Sequence, residues 1–143
     1  MERITVLLAE DHALVREFFR KMIVTQADLE LVGEATDGHE AVVMAIELHP
    51  AVVLMDVAMP LLDGVRAMCQ ILEAVPTTKV IMLSAYDDES FVEDSVKFGA
   101  MGFLLKQTSA SSVCHAIREV HEGNTYFSPS IPSHLRKRNG KSG

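Results

Sequence analysis

Short apolar runs that never alternate constrain this chain most. Val52–Met55 (VVLM) and Val80–Leu83 (VIML) are apolar at every position, and Ile4–Ala9 (ITVLLA) and Gly102–Leu105 (GFLL) are nearly so. A strand with no polar face has to be covered on both sides, as in a parallel sheet between two helical layers. Helical periodicity fills the gaps between these runs. Leu14, Phe18 and Met22 recur at four-residue spacing, and Val42, Val43 and Ile46 mark a second helix that His49-Pro50 ends. Met68, Ile71 and Leu72 mark a third, Phe91, Ser95 and Phe98 a fourth closed by Gly99, and Val113, Ile117 and Val120 a fifth. Leu29–Glu34 alternates like a strand at a sheet edge. Five strands therefore alternate with five helices, which predicts a doubly wound α/β sandwich, (βα)5, with right-handed crossovers.

A chain of 143 residues suits one domain with its own core. Twenty acidic residues face thirteen Lys and Arg, and the imbalance is uneven. After Pro129 come Arg136, Lys137, Arg138 and Lys141 with no acid, so the preceding body stands at −11. Phosphate affinity comes from Lys and Arg, so direct DNA binding by that body is disfavoured. No apolar run approaches a membrane span and the first residues do not open a signal peptide, so a cytoplasmic location with no membrane partner is expected. Cys69 and Cys114 fit no disulfide or zinc pattern and read as helix-packing residues. The sequence divides into a domain over 1–124 and a Pro/Ser/Gly and basic linker or tail over 125–143, where Tyr126–Ser128 can add a short extended piece.

Four strands end on reactive side chains: Glu10-Asp11 after the first, Asp56 after the third, Ser84 after the fourth and Lys106 after the fifth. In a doubly wound sheet those ends meet near the topological switch point, where ligands bind. Taken singly, each has a bland reading; acids there often only solvate a turn. Together they are chemically specific. Three carboxylates repel unless a cation intervenes, and hard oxygens suit Mg²⁺, which keeps waters for a phosphoryl group to replace. Asp56 stands alone as a nucleophile, with the Ser84 hydroxyl and the Lys106 ammonium left for phosphoryl oxygens. His12 reads as the start of the first helix.

These residues carry a family resemblance over residues 3–122. Leu8-Ala9-Glu10-Asp11-His12, Pro50–Gly64 (PAVVLMDVAMPLLDG), Ser84-Ala85 and Gly102–Lys106 (GFLLK) resemble the receiver domain of two-component response regulators. The resemblance implies the flavodoxin-like or CheY-like five-stranded fold and phosphoryl transfer to Asp56 from the phosphohistidine of a sensor histidine kinase. It implies Mg²⁺ on Asp11, Asp56 and the Ala58 backbone carbonyl, with Glu10 helping through a water. Ser84 and Lys106 would then hold the phosphoryl group, and Phe103 occupies the aromatic switch position. Ala58 and Tyr86 would flank the path of a hydrolytic water and tune dephosphorylation. The altered surface would comprise the fourth helix, the last strand and the last helix. Gln107, in place of a proline after the lysine, and the ending Glu122–Pro129 (EGNTYFSP) resemble the NarL/FixJ type, in which a LuxR-type helix-turn-helix follows. On that reading the output is transcription, DNA is met only through a domain absent from this sequence, and a homodimer forms on phosphorylation.

Other classes fit less well. A haloacid-dehalogenase-type enzyme puts a D-x-D nucleophile after its first strand, where this chain has Glu10-Asp11-His12. A flavodoxin-like cofactor binder needs a phosphate-cradling first loop that Glu10 and Asp11 would repel. The alternatives kept are a stand-alone receiver and a phosphorylation-independent interaction module. The domain is expected to promote only its own phosphorylation and dephosphorylation, not to act as an enzyme on a separate substrate.

Overall fold

The computed structural model describes residues 2–85, 89–129 and 131. The element order is β1 (Ile4–Ala9), α1 (Ala13–Val24), β2 (Leu29–Ala35), α2 (Gly38–Leu48), β3 (Val52–Asp56), α3 (Gly64–Ala74), β4 (Lys79–Ser84), α4 (Glu89–Lys97), β5 (Gly102–Leu105), α5 (Ala110–His121) and β6 (Tyr126–Phe127). All strand pairs are parallel, in the order β2-β1-β3-β4-β5-β6. The order reverses at β1, so the crevice of a doubly wound sheet opens beyond the carboxyl ends of β1 and β3.

Side-chain alternation sends each strand's residues into two cores. Leu7, Val53, Met55, Val80, Met82 and Phe103 meet α2, α3 and α4 on one face. Val6, Leu8, Leu54, Ile81, Leu83 and Leu104 meet α1 and α5 on the other. The starts of α1, α2 and α3 are fixed by side-chain caps. Asp37 Oδ1 accepts from Glu40 N at 2.7 Å, Asp63 Oδ1 from Arg66 N at 3.0 Å, and His12 Nδ1 from Val15 N at 3.4 Å.

Several expectations shift. The predicted five-stranded sheet gains a sixth strand, because Tyr126 and Phe127 pair with Gly102 and Phe103. Ile131 is buried in the same core as Phe103, so packed structure runs past the expected boundary at 124. The outer edge of β5 is accordingly covered, and the surface expected from α4, β5 and α5 is presented by α4, β6 and α5. Helix faces also move. In α1 the buried residues are Phe19, Met22 and Ile23, while Leu14 and Phe18 are 74% and 49% exposed. In α4 the core takes Val92, Ser95 and Val96, leaving Phe91 and Phe98 partly in solvent, and Val43 and Ile46 of α2 are half-exposed too. The α5 stripe of Val113, Ile117 and Val120 is buried as expected.

Candidate functional site

The strand ends deliver the expected side chains to one crevice. Glu10 N donates to Ala35 O, which draws the end of β1 toward β2 and turns the chain into α1. At the end of β3, Val57 N donates to Leu83 O and Gly64 N to Val57 O, so the loop after Asp56 folds back on itself. Gly64 is required there: a Cβ would lie 2.2 Å from the Asp56 carbonyl oxygen. Lys106 N donates to Ser84 O at 2.8 Å, tying the ends of β4 and β5.

A single ammonium organises the charges. Lys106 Nζ lies 3.0 Å from Glu10 Oε2 and 3.0 Å from Asp56 Oδ2. Ala58 N donates to Asp56 Oδ1 and His12 N to Glu10 Oε2, both at 3.1 Å. Glu10 is fully buried and Asp56 nearly so, whereas Asp11 is exposed. Burial, then the Glu10 charge, raise Asp56 to about 7, against the opposing pull of Lys106 and the Ala58 amide. Desolvation acts to lower Lys106, but hydrogen bonds and charge from Asp56 and Glu10 outweigh it, so the ammonium is held above its ordinary range.

A divalent cation suits this arrangement. Carboxylate oxygens of Glu10, Asp11 and Asp56 all lie within 4.8 Å of one another. Glu10 Oε1 is buried with no hydrogen-bond partner among the described residues, an acceptor that a hydrated cation would satisfy. The carboxylates open into a cavity of about 460 Å³ whose walls include Asp11, Asp56, Ala58, Ser84, Phe91 and Lys106. A larger hollow of about 740 Å³ lies between α3 and α4, lined chiefly by apolar groups such as Val57, Leu62, Val65 and Phe98. The convergent charges are in the smaller one, and chemistry favours it.

The candidate residues are therefore largely brought together, with two qualifications. Phe103 is fully buried in the core that faces α2, α3 and α4 and does not line the cavity. Tyr86 and the basic cluster at Arg136–Arg138 lie outside the described residues. His12 starts α1, as expected. The sequence reading missed Arg16, whose Nη1 donates to Glu10 O at 2.9 Å while its Nε lies 3.6 Å from Glu34 Oε1. Its four-residue spacing from His12, on the helix face nearest the acidic pair, was the available signal. Phe91, read from the sequence only as part of a helical register, also lines the cavity.

Residues 6–118 match the response regulator receiver domain family. Bacillus subtilis (strain 168) YxjL, described as an uncharacterized transcriptional regulatory protein, is 41% identical over 126 residues, covering 88% of this chain and 58% of its own. The transcriptional regulatory protein DegU of Brevibacillus brevis is 35% identical, covering 94% of this chain and 57% of its own. The chain thus spans less than two-thirds of the length of these relatives. Among solved structures, the signal receiver domain of the putative response regulator NarL from Mycobacterium tuberculosis superposes with a TM-score of 0.84 at 30% identity, over 87% of this chain and all of that one. The response regulator domain of Thermotoga maritima CheB does so with a TM-score of 0.79 at 34% identity, over 85% of this chain and 98% of that one. With 113 of its 143 residues inside the family match and its relatives of the NarL/LuxR type, the chain belongs to the response regulator receiver domains, a family of signalling domains.

Proposed function

We propose that Asp56 is the phosphoacceptor of a two-component relay, taking a phosphoryl group from the phosphohistidine of a sensor histidine kinase. The observation that carries this is the buried Asp56 carboxylate, bridged to Glu10 by Lys106 at 3.0 Å on each side beside an exposed Asp11. Glu10, Asp11, Asp56 and the Ala58 carbonyl would hold Mg²⁺, which when bound neutralises charge building on the phosphoryl oxygens. The chain's own groups do the rest. The Ala58 amide orients the Asp56 carboxylate through Oδ1. Asp56 attacks phosphorus, the bond from phosphorus to the donor nitrogen breaks, and Lys106 and Ser84 take up the oxygens of the new acyl phosphate. Hydrolysis returns the carboxylate, at a rate tuned by the residues at positions 58 and 86.

The product adds roughly −1.5 to −2 charges at one strand end. Movement of Ser84 and Lys106 toward it shifts the population of the face formed by α4, β6 and α5, with Phe103 beneath it. The output is control of an attached helix-turn-helix domain in a cytoplasmic transcription factor, accompanied by a homodimer on phosphorylation. The likeness to transcriptional regulators that extend beyond the matched region supports this context.

Intact mass after incubation with Mg²⁺ and acetyl phosphate tests the acceptor. The expected result is one phosphoryl increment, absent in Asp56→Asn and absent without metal. An unmodified wild type with both acetyl phosphate and a histidine-kinase donor would favour a phosphorylation-independent module.

A further inference from the structure

The chain does not leave the sheet after α5. Tyr126 N donates to Met101 O and Ser128 N to Phe103 O, both at 3.0 Å, so residues 126–128 run along the outer edge of β5. Gly102 allows this approach, because a Cβ there would lie 2.9 Å from Tyr126 O. Phe127 and Ile131 then bury against the core that contains Phe103. Ser128 is itself buried, and its Oγ accepts from Leu105 N at 3.0 Å and lies 3.3 Å from Thr108 Oγ1.

Two ties therefore converge on the end of β5 from opposite edges. On one side Lys106 N is held by Ser84 O, and on the other Leu105 N is held by Ser128 Oγ. Between them the Lys106 side chain reaches its 3.0 Å contacts with Glu10 and Asp56. Ser128 lies outside the family match at 6–118, yet its bond is one residue from the lysine. We infer that Ser128 is a positioning residue for Lys106, and that docking of the strap formed by residues 126–129 and 131 and occupancy of the Asp56 site are linked so that occupancy releases the strap.

The inference rests on the phosphoacceptor reading. A phosphoryl group on Asp56 enters the space now closed by the contact between Lys106 Nζ and Asp56 Oδ2. The Lys106 ammonium has to exchange that contact for the new phosphoryl oxygens, and the backbone that carries it is held in its present place while Leu105 N stays on Ser128. Displacement at the site is thereby converted into a weaker hold on β6, the segment through which the chain continues. By linkage, whatever undocks the strap strengthens binding at the site by the same factor.

Amide hydrogen exchange of the full chain, with and without Mg²⁺ and beryllofluoride, tests this. Exchange at Tyr126 and Ser128 is expected to quicken at least fivefold on saturation, while Ala58 and Lys106 report occupancy directly. Ser128→Ala should bind beryllofluoride several-fold more tightly, and Ser128→Thr, which keeps the hydroxyl, should return to wild-type affinity. A plain packing role would lower thermal stability and leave that affinity unmoved. Should Ser128→Ala not fold, the wild-type exchange data decide alone. A response at Ala58 and Lys106 with strap amides unchanged or slowed overturns the inference only. No response at any of these amides overturns the phosphoacceptor reading and the inference with it.

Discussion

Asp56 holds its charge at a cost, because it is buried beside Glu10 and raised from 3.8 to about 7. Between those values the native state binds the proton more tightly than the unfolded chain does. Stability from this group therefore falls as pH rises through that window, and above about pH 7 the full penalty remains. Asp56→Asn carries no such penalty. Without metal, the variant should match wild type near pH 4 and be more stable at pH 8, by about 1–2 kcal/mol after allowing for the partner Lys106 loses. Urea midpoints across that range measure it, and a variant less stable at pH 8 would remove the strain assigned to Asp56. A second strained residue sits on the loop that follows. Leu61 has φ of 69° and is 84% exposed, at the centre of a tight turn in which Leu62 N donates to Pro60 O at 2.7 Å. Left-handed backbone costs a side-chain-bearing residue about 1–2 kcal/mol, part of which glycine loses again through unfolded-state entropy. Leu61→Gly is expected to raise stability by about 0.5–1 kcal/mol, read as a higher urea midpoint with an unchanged slope.

Elements are where sequence and structure part company, and α1 shows why. Spacing at i, i+4 and i+8 selected Leu14, Phe18 and Met22, while the packed face is one residue round the helix, on Phe19, Met22 and Ile23. Two adjacent phenylalanines made both faces plausible, and periodicity alone could not choose between them. Their energetics should separate cleanly. Phe19→Ala empties a fully buried site and should cost about 3–5 kcal/mol, against under about 1 kcal/mol for Phe18→Ala on the half-exposed face. Equal losses in chemical denaturation would refute the face assignment. The strands were far more legible, since VVLM and VIML leave no polar face to misread. Their final residues were legible too, because Asp56, Ser84 and Lys106 interrupt apolar runs abruptly. Arg16, six residues from the Glu10 carbonyl it reaches, was within local range, but the rest of what escaped depends on contacts distant in sequence: Ser128 reaching Leu105, and β6 closing the β5 edge. No local pattern encodes a partner 23 residues away.

At the scale of the whole molecule, the acidic site is a defect of the fold until a cation relieves it. Lys106 satisfies one oxygen each of Glu10 and Asp56, but Glu10 Oε1 stays buried and unpartnered among the described residues, and Asp11 adds a third charge. Anything that binds the native state and not the unfolded chain stabilises the whole domain, by about 2.7 kcal/mol at a hundredfold excess over Kd. For a domain of this size that corresponds to a rise in Tm of about 10 °C. Mg²⁺ should therefore raise Tm in a saturable manner, and Glu10→Gln or Asp11→Asn should flatten the response without unfolding the protein. Lys106→Met makes the opposite prediction, because it leaves the carboxylates without their internal cation. Its Tm should start lower and climb more steeply with Mg²⁺, so that the metal replaces part of what the ammonium supplied. If Lys106→Met and wild type respond to the metal alike, the ammonium and the cation do not share the same carboxylates, and the acidic cluster is held together by the fold alone.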